Sequence, residues 1–300
     1  MARRRRGLPI DGVLLLDKPR GVSSNHALQR ARRLFQAQKA GHTGTLDPMA
    51  TGLLPVCFGE ATKFSSYLLE ADKTYRTRVQ LGVVTDTGDA EGTVVERGPV
   101  EGIDAARVQR VLAEFTGEID QIPPMHSALK HEGRKLYELA REGKQVERAA
   151  RRVRVYDARL LAFEGDAFEL EVACSKGTYI RTLAEDIGRA LGCGAHITAL
   201  RRLRSGPFAA DDMLDFVALD ALESRDTALL PMDVLVRHLP RLDVAEATAA
   251  RLLNGQRAAT DTAGLAGDAL ARLYRDESFL GLVTVTAPGE VAPRRLVATG

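Results

Sequence analysis

Gly41-His42-Thr43-Gly44-Thr45-Leu46-Asp47-Pro48-Met49-Ala50-Thr51-Gly52-Leu53-Leu54 sets a single carboxylate immediately before a proline, in a segment dense with glycine. Pro48 steers Asp47 away from the helical basin, and Gly41, Gly44 and Gly52 permit turns and close approaches that a Cβ resists. Asp-Pro also opens ordinary surface turns, so these residues alone read more readily as a surface turn than as an active-site loop. The decision rests on partners. An ionised aspartate in a partly dry site requires an opposite charge or several donors, and a bidentate arginine supplies both.

Upstream, Val13–Leu16 reads as a short buried strand and Asp17-Lys18-Pro19-Arg20-Gly21 as a turn. Ser24 is expected to cap a helix in which Ala27, Leu28, Ala31, Leu34 and Phe35 share one face, leaving Arg30, Arg32 and Arg33 on a basic, exposed one. Downstream, Tyr75, Thr77, Val79 and Leu81 alternate with Arg76, Arg78 and Gln80, which predicts a strand with Tyr75 on its buried side. The acids and glycines of 86–92 miss the calcium-loop pattern at its third position and read as a hairpin connection before a strand at 93–95. Asp104 is placed to cap a helix carrying Val108, Val111, Leu112 and Phe115, with Gly117 ending it.

Val153 and Val155, then Phe168, Leu170, Val172 and Cys174, alternate as strands. The second runs into a helix with Ile180, Leu183, Ala184, Ile187 and Leu191 as its stripe and Gly192 as its left-handed cap. Arg181 therefore stands at a strand-to-helix junction, although spacing alone does not select it over other arginines as the partner of Asp47. Residues 130–154 carry nine Lys/Arg against four acids and few large apolar residues, which predicts an exposed insertion. Residues 199–204 are basic and extended. Residues 205–236, with seven acids against one Arg, read as helix and linker. A boundary is expected near Arg237, followed by a helix at 245–253 and strands at 269–274 and 279–285: a small β-rich module, marginal by itself and expected to dock on the main domain.

The 300 residues are 45% hydrophobic, enough for one large core and a small one. The net charge of +2 hides a regional excess, since residues 1–40 carry ten Lys/Arg against two acids. Such a zone suits a polyanionic partner or a solubilising face, and Arg3–Arg6 reads as a flexible arm that either meets phosphate or is solvated. Cys57, Cys174 and Cys193 lack any C-x-x-C pattern, which argues against a disulfide framework or zinc ribbon and for a reducing cytoplasm. No apolar run is long enough to span a membrane, and the sequence contains no Walker A, G-x-G-x-x-G, G-x-S-x-G or H-E-x-x-H pattern. His42 reads on composition as a loop histidine bonded to backbone.

Further segments stand in order along the chain: Leu16-Asp17-Lys18-Pro19-x-Gly21-x-Ser23-Ser24, Gly59-Glu60-Ala61-Thr62-Lys63, Asp72-Lys73-x-Tyr75, Gln121-Ile122-Pro123-Pro124-Met125-x-Ser127-Ala128-x-Lys130, Cys174-Ser175-Lys176-Gly177-Thr178-Tyr179-Ile180-Arg181-Thr182 and Leu200-Arg201-Arg202. Together with the Asp47 stretch they resemble the motifs of the bacterial TruB family, tRNA pseudouridine-55 synthases, as far as about residue 205. The resemblance implies an α+β pseudouridine-synthase fold over residues 11–236, with a mixed, mainly antiparallel central sheet, flanking helices and a cleft across the middle. Residues 1–10 would be a flexible basic arm, about 125–152 an RNA-gripping insertion, and 237–300 a small β-rich PUA-like domain.

The resemblance also implies isomerisation of uridine 55 in the T-loop of tRNA. The base flips out, the C1′–N1 bond breaks and a C1′–C5 bond forms, with no cofactor and no metal. The enzyme would be a cytoplasmic monomer whose partner is the tRNA T-stem-loop, with no obligate protein partner and no membrane. Carried over position by position, Asp47 is the catalytic carboxylate and Arg181 its ion-pair partner. Tyr75 stacks on the uracil and is a candidate for removing the C5 proton. Leu200 packs in the pocket, His42 fills the space the target leaves in the T-loop, and Lys18, Lys63, Lys130, Tyr179 and Arg202 contribute to substrate binding. His126 stands where the family often has Tyr. Two other readings are a tRNA-folding chaperone in which catalysis is secondary and a guide-RNA-dependent relative of the dyskerin type. The set Asp47, Tyr75 and Arg181 favours the enzyme, and the insertion with the short C-terminal module favours the stand-alone form.

Overall fold

The computed structural model describes residues 7–262 and 264–298, so the arginines of the expected arm lie outside the described residues. A nine-stranded sheet forms the main body, its path running Gly12–Lys18, Thr51–Phe58, Ala195–Ser205, Lys73–Leu81, Ala167–Cys174, Arg151–Glu164 and Gly117–Gln121. Neighbours on this path are antiparallel except Thr51–Phe58 with Ala195–Ser205, which pair in parallel only at Arg201–Thr51 and Arg202–Gly52. Two strands that are distant in sequence thus lie side by side where the Asp47 loop enters the sheet.

Alternation divides the sheet's residues between two cores. Leu14, Leu16, Val79, Leu81, Ile197 and Leu200 pack with helices Ser24–Leu34, Ala105–Glu114 and Ile180–Leu191, and Tyr75 joins that face. Val13, Leu15 and Leu53 join Phe64, Leu68 and Val234–Val236 on the other. The stretch 205–236 holds one short helix, Phe216–Ala221, which packs on the first core, and 3-10 turns, of which Met232–Val236 seals the second.

Several local expectations are corrected. Ser23, not Ser24, caps the first helix by accepting from the His26 N–H, which leaves Ser24 buried and available to the Asp47 loop. The basic face of that helix is only partly solvated, because Arg32 donates to the Ala37 and Gln38 carbonyls and Arg30 lies 3.9 Å over the Phe216 ring. Gly117, at φ +109°, opens an unanticipated strand that pairs with Arg151–Val155. The insertion forms a hairpin, Lys130–His131 with Arg134–Lys135, and a helix, Leu136–Arg141, whose Leu136 and Leu139 are buried.

The C-terminal part is a five-stranded sheet in the order Arg241–Asp243, Leu270–Arg275, Ser278–Ala287, Glu290–Leu296 and Ala258–Ala259, with helix Glu246–Leu253 packed on it, the small PUA-like sheet expected. It does not stand apart. Leu282 enters the second core of the main body, and the Phe279 and Phe64 rings lie 5.3 Å apart. Lys63 donates to the Leu296 carbonyl at 2.9 Å, and the Ala298 N–H donates to Glu60 at 2.6 Å. Among the described residues no helix is long and apolar enough to cross a membrane.

Candidate active site

The Asp47 loop leaves strand Ala40–His42 and returns as Thr51–Phe58. It is pinned from three sides. The Ser24 hydroxyl accepts from the Leu46 N–H at 2.7 Å and donates to the Leu46 carbonyl at 2.9 Å. The Gly21 N–H donates to the Pro48 carbonyl at 2.8 Å. Arg202, only 1% exposed, donates to the Leu53 carbonyl at 2.7 Å and the Gly44 carbonyl at 3.0 Å. Two glycines are required here by geometry: Gly44 at φ +78°, against the Arg202 guanidinium, and Gly52 at φ +97°, where a Cβ would lie 2.4 Å from the Arg202 carbonyl.

Arg181 reaches Asp47 from the first turn of helix Ile180–Leu191. That helix start has no side-chain cap on Tyr179; instead Gln121, itself buried, binds the Tyr179 N–H at 3.0 Å and carbonyl at 3.3 Å. The Arg181 side chain is 5% exposed, and its Nε lies 3.1 Å from Asp47 Oδ2. Nη1 donates to the Thr87 carbonyl at 2.8 Å and lies 3.5 Å from Asp89 Oδ2, while Nη2 donates to the His126 carbonyl at 2.6 Å. The guanidinium is thus fully oriented, and it serves two carboxylates of unequal exposure: Asp89 is buried, whereas the Asp47 side chain keeps 36% of its surface open. Burial pushes the Asp47 carboxyl above the ordinary aspartate range; Arg181 pulls it back, and the neighbouring Asp89 adds to the rise.

Two cavities share the wall made by Asp47 and Arg181. The first, of about 250 Å³, also presents Lys73, Tyr75, Tyr179 and Leu200. Tyr75 and Arg202 are register partners on neighbouring strands, and burial raises the Tyr75 hydroxyl above its usual pKa. The second, of about 550 Å³, is bounded by His42 and by Lys135, Tyr137 and Arg141 of the insertion. Burial, aided by Arg202, lowers the His42 pKa, so its ring is neutral near pH 7. Its buried Nδ1 has no partner, unlike the backbone-bonded loop histidine that composition suggests.

The other predicted residues fall differently. Lys18 is fully buried, donating to the carbonyls of Pro19 at 2.9 Å, Val22 at 2.7 Å and Pro48 at 3.4 Å, and burial lowers its ammonium to about 8. With all three protons on backbone it braces the loop and has none left for phosphate. Arg202 likewise holds loop backbone while lining the first cavity. Lys63 ties Glu60 to the C-terminal strand. Lys130 is exposed on the hairpin and lines neither cavity.

Sequence reasoning missed Asp89, which sits in a segment that looks like any acidic turn. It also missed Gln121 and the cavity-lining side of Lys73, whose motifs were visible without their roles, and Tyr137, which falls in none of the motifs. Among the described residues no group of three or more His, Cys, Asp or Glu side chains is set to hold a metal. The arrangement supplies one positioned carboxylate, able to attack or to take a proton, at the mouth of a ring-floored cavity.

This fold and site define a pseudouridine synthase. The architecture matches a chain of the H/ACA ribonucleoprotein bound to a substrate RNA containing 2′-deoxyuridine (25% identity, TM-score 0.73, covering 100% of this chain and 92% of that one). It also matches a chain of a Cbf5–Nop10–Gar1 complex (28% identity, TM-score 0.72, covering 96% and 84%). The N-terminal domain model of the TruB family pseudouridylate synthases matches residues 32–180, the tRNA pseudouridylate synthase B C-terminal domain 181–237, and the pseudouridine synthase II TruB C-terminal model 240–297. The chain belongs to the TruB family. Relatives named tRNA pseudouridine synthase B include those of Chromohalobacter salexigens, 72% identical over 100% of this chain and 98% of that one, and Coxiella burnetii, 48% identical over 96% and 95%.

Proposed function

We propose that this enzyme converts uridine 55 in the T-loop of tRNA to pseudouridine, with Asp47 as the reacting carboxylate. The observation that carries the reading is the Asp47–Arg181 pair, 3.1 Å apart, on a wall common to two cavities. The flipped base would enter the smaller cavity, over Tyr75 and against Leu200 and Tyr179. The rest of the loop would occupy the larger one, with the neutral His42 ring filling the gap in the stack and Lys135 and Arg141 meeting phosphate. Extrusion costs a few kcal/mol, which stacking and phosphate contacts offset. Recognition by shape and by one unstacked base suits a cleft of this kind.

With the ribose at Asp47, the C1′–N1 bond breaks and its electron pair leaves with the uracil. The ring turns, C5 bonds to C1′, and the C5 proton is removed. The raised pKa of the Tyr75 hydroxyl disfavours its phenolate, which makes stacking its first role. The insertion at 125–152 and the module at 237–300 are read as the parts that grip the stem.

The test is to incubate the pure protein with unmodified tRNA transcript, map any pseudouridine, and repeat with Asp47→Asn. Product at position 55 from the wild type alone, with tRNA binding by the variant within a few-fold, is the expected result; wild-type-level turnover by Asp47→Asn overturns it. A second reading, refolding of the tRNA elbow, draws on the unpartnered His42 ring beside the basic insertion. Refolding that survives in Asp47→Asn and is lost in His42→Ala would establish it alongside catalysis.

A further inference from the structure

Three cations line the cavity that takes the base: Arg181, Arg202 and Lys73. The first two are committed elsewhere. Arg181 holds Asp47, Asp89 and two carbonyls, and Arg202 holds the Leu53 and Gly44 carbonyls. Lys73 differs. Its side chain is nearly buried, and its ammonium is anchored by the carbonyls of Leu69, at 2.9 Å, and Ala71, with no carboxylate in ion-pair reach among the described residues. An ammonium has three protons, so one remains unplaced. Lys73 and Tyr75 stand two residues apart on one face of strand Lys73–Leu81, about 7 Å along the strand. A base lying on the Tyr75 ring has its rim within reach of Nζ.

The reaction creates the need for such a group. Whether Asp47 bonds to C1′ or takes a ribose proton, heterolysis of C1′–N1 leaves both electrons on the uracil, as a monoanion delocalised onto its carbonyl oxygens. A buried anion without a donor is costly, and preorganised donors aimed at developing charge are the strongest electrostatic device an enzyme has.

We propose that Lys73 is a catalytic residue whose free ammonium proton hydrogen-bonds a carbonyl oxygen of the departing uracil and stabilises its negative charge until C5 bonds to C1′. The lysine keeps its proton throughout, the electron pair passes from the anion into the new carbon–carbon bond, and the C5 proton leaves afterwards. The proposal rests on the uridine-isomerase reading above.

Lys73 acts only when charged, and burial lowers its ammonium to about 8. The groups facing it are Arg202 from strand Ala195–Ser205, which lowers it further, Cys174 from strand Ala167–Cys174, and Asp72 beside it. The Cys174 thiol is itself pushed up to about 12. Activity carried by the ammonium is therefore full below that range and lost as pH rises through it.

The experiment compares full-length wild type, Lys73→Met and Lys73→Arg on tRNA transcripts with uridine or 5-fluorouridine at the target position, following C1′–N1 cleavage in single turnover and tRNA binding separately. Fluorine stabilises the uracil anion and so lessens the need for the lysine. Lys73→Met is expected to slow cleavage of uridine by about 100-fold and of 5-fluorouridine by about tenfold or less, with tRNA affinity within about twofold. Equal slowing on both substrates, a loss confined to binding, or unchanged rates would overturn the assignment. Should Lys73→Met not fold, Lys73→Arg decides: an alkaline limb moved upward supports the role, and an unmoved limb overturns it. A wild type inactive on every tRNA position would instead remove the isomerase reading itself.

Discussion

Asp47 illustrates how one residue depends on a network that its own neighbourhood in the chain does not display. The proposed chemistry requires the carboxylate, and burial raises its pKa. Activity is therefore lost as pH falls through a value above the ordinary 3.8, and the acid limb of single-turnover rate against pH should lie higher than that of an exposed aspartate. Asp89 gives a second prediction. Asp89→Asn removes a charge from Arg181 while keeping the size, and should lower kcat by about tenfold, or about 1.4 kcal/mol of barrier, with KM nearly unchanged; an unaltered kcat would show that Asp47 alone sets the arginine. Asp47 and Arg181 were legible because their flanking residues form recognisable motifs. Asp89 was not, since an acidic turn looks alike whether its carboxylate faces water or, as here, the guanidinium of the distant Arg181, whose Nη1 also binds the Thr87 carbonyl. Lys18 and Arg202 were seen as basic, but a sequence does not say whether a cation meets phosphate or its own backbone.

At the level of elements, periodicity located most helices and strands of the main body, because alternating burial leaves an apolar trace. It missed strand Gly117–Gln121, which has a mostly polar face, and found only the 199–204 part of Ala195–Ser205, which mixes three arginines and a histidine with its buried positions although it lies inside the sheet. That central strand explains Gly52, whose backbone lies against Arg202. Gly52→Ala should cost about 2 kcal/mol or more, read as a lowered unfolding midpoint, and should reduce activity even below that midpoint as the loop shifts. In the insertion, Tyr137 lies between Lys135 at 5.3 Å and Arg141 at 5.4 Å, a stacking surface between two phosphate-seeking charges. Tyr137→Ala should raise the Kd for tRNA about fivefold or more and leave kcat at saturating tRNA within about twofold; a selective fall in kcat would give the insertion a part in the chemistry instead.

The whole molecule is held together by a core that crosses from the main sheet to the C-terminal one. Phe64 is fully buried and lies 5.3 Å from Phe279, with Leu282 in the same cluster as Val13 and Leu15. A chain ending at residue 239 would expose this face, and should unfold at lower temperature or aggregate even though the Asp47 and Arg181 motifs are intact; a truncated protein as stable as the full chain would contradict that. Docking of the module was foreseen from its small size, but the shared core was not, since nothing in Leu282 marks which sheet it fills.

The same crossing has a temporal meaning. Strand Gly12–Lys18 leaves the ribosome long before Leu282, which joins the core on one of its faces. Contacts so distant in sequence form late, after a long loop has closed. The sheet that carries the Asp47 loop therefore waits, with Phe64 uncovered, until Leu282 has been made, and a nascent chain stalled short of Leu282 would present that surface to chaperones before it could act on RNA.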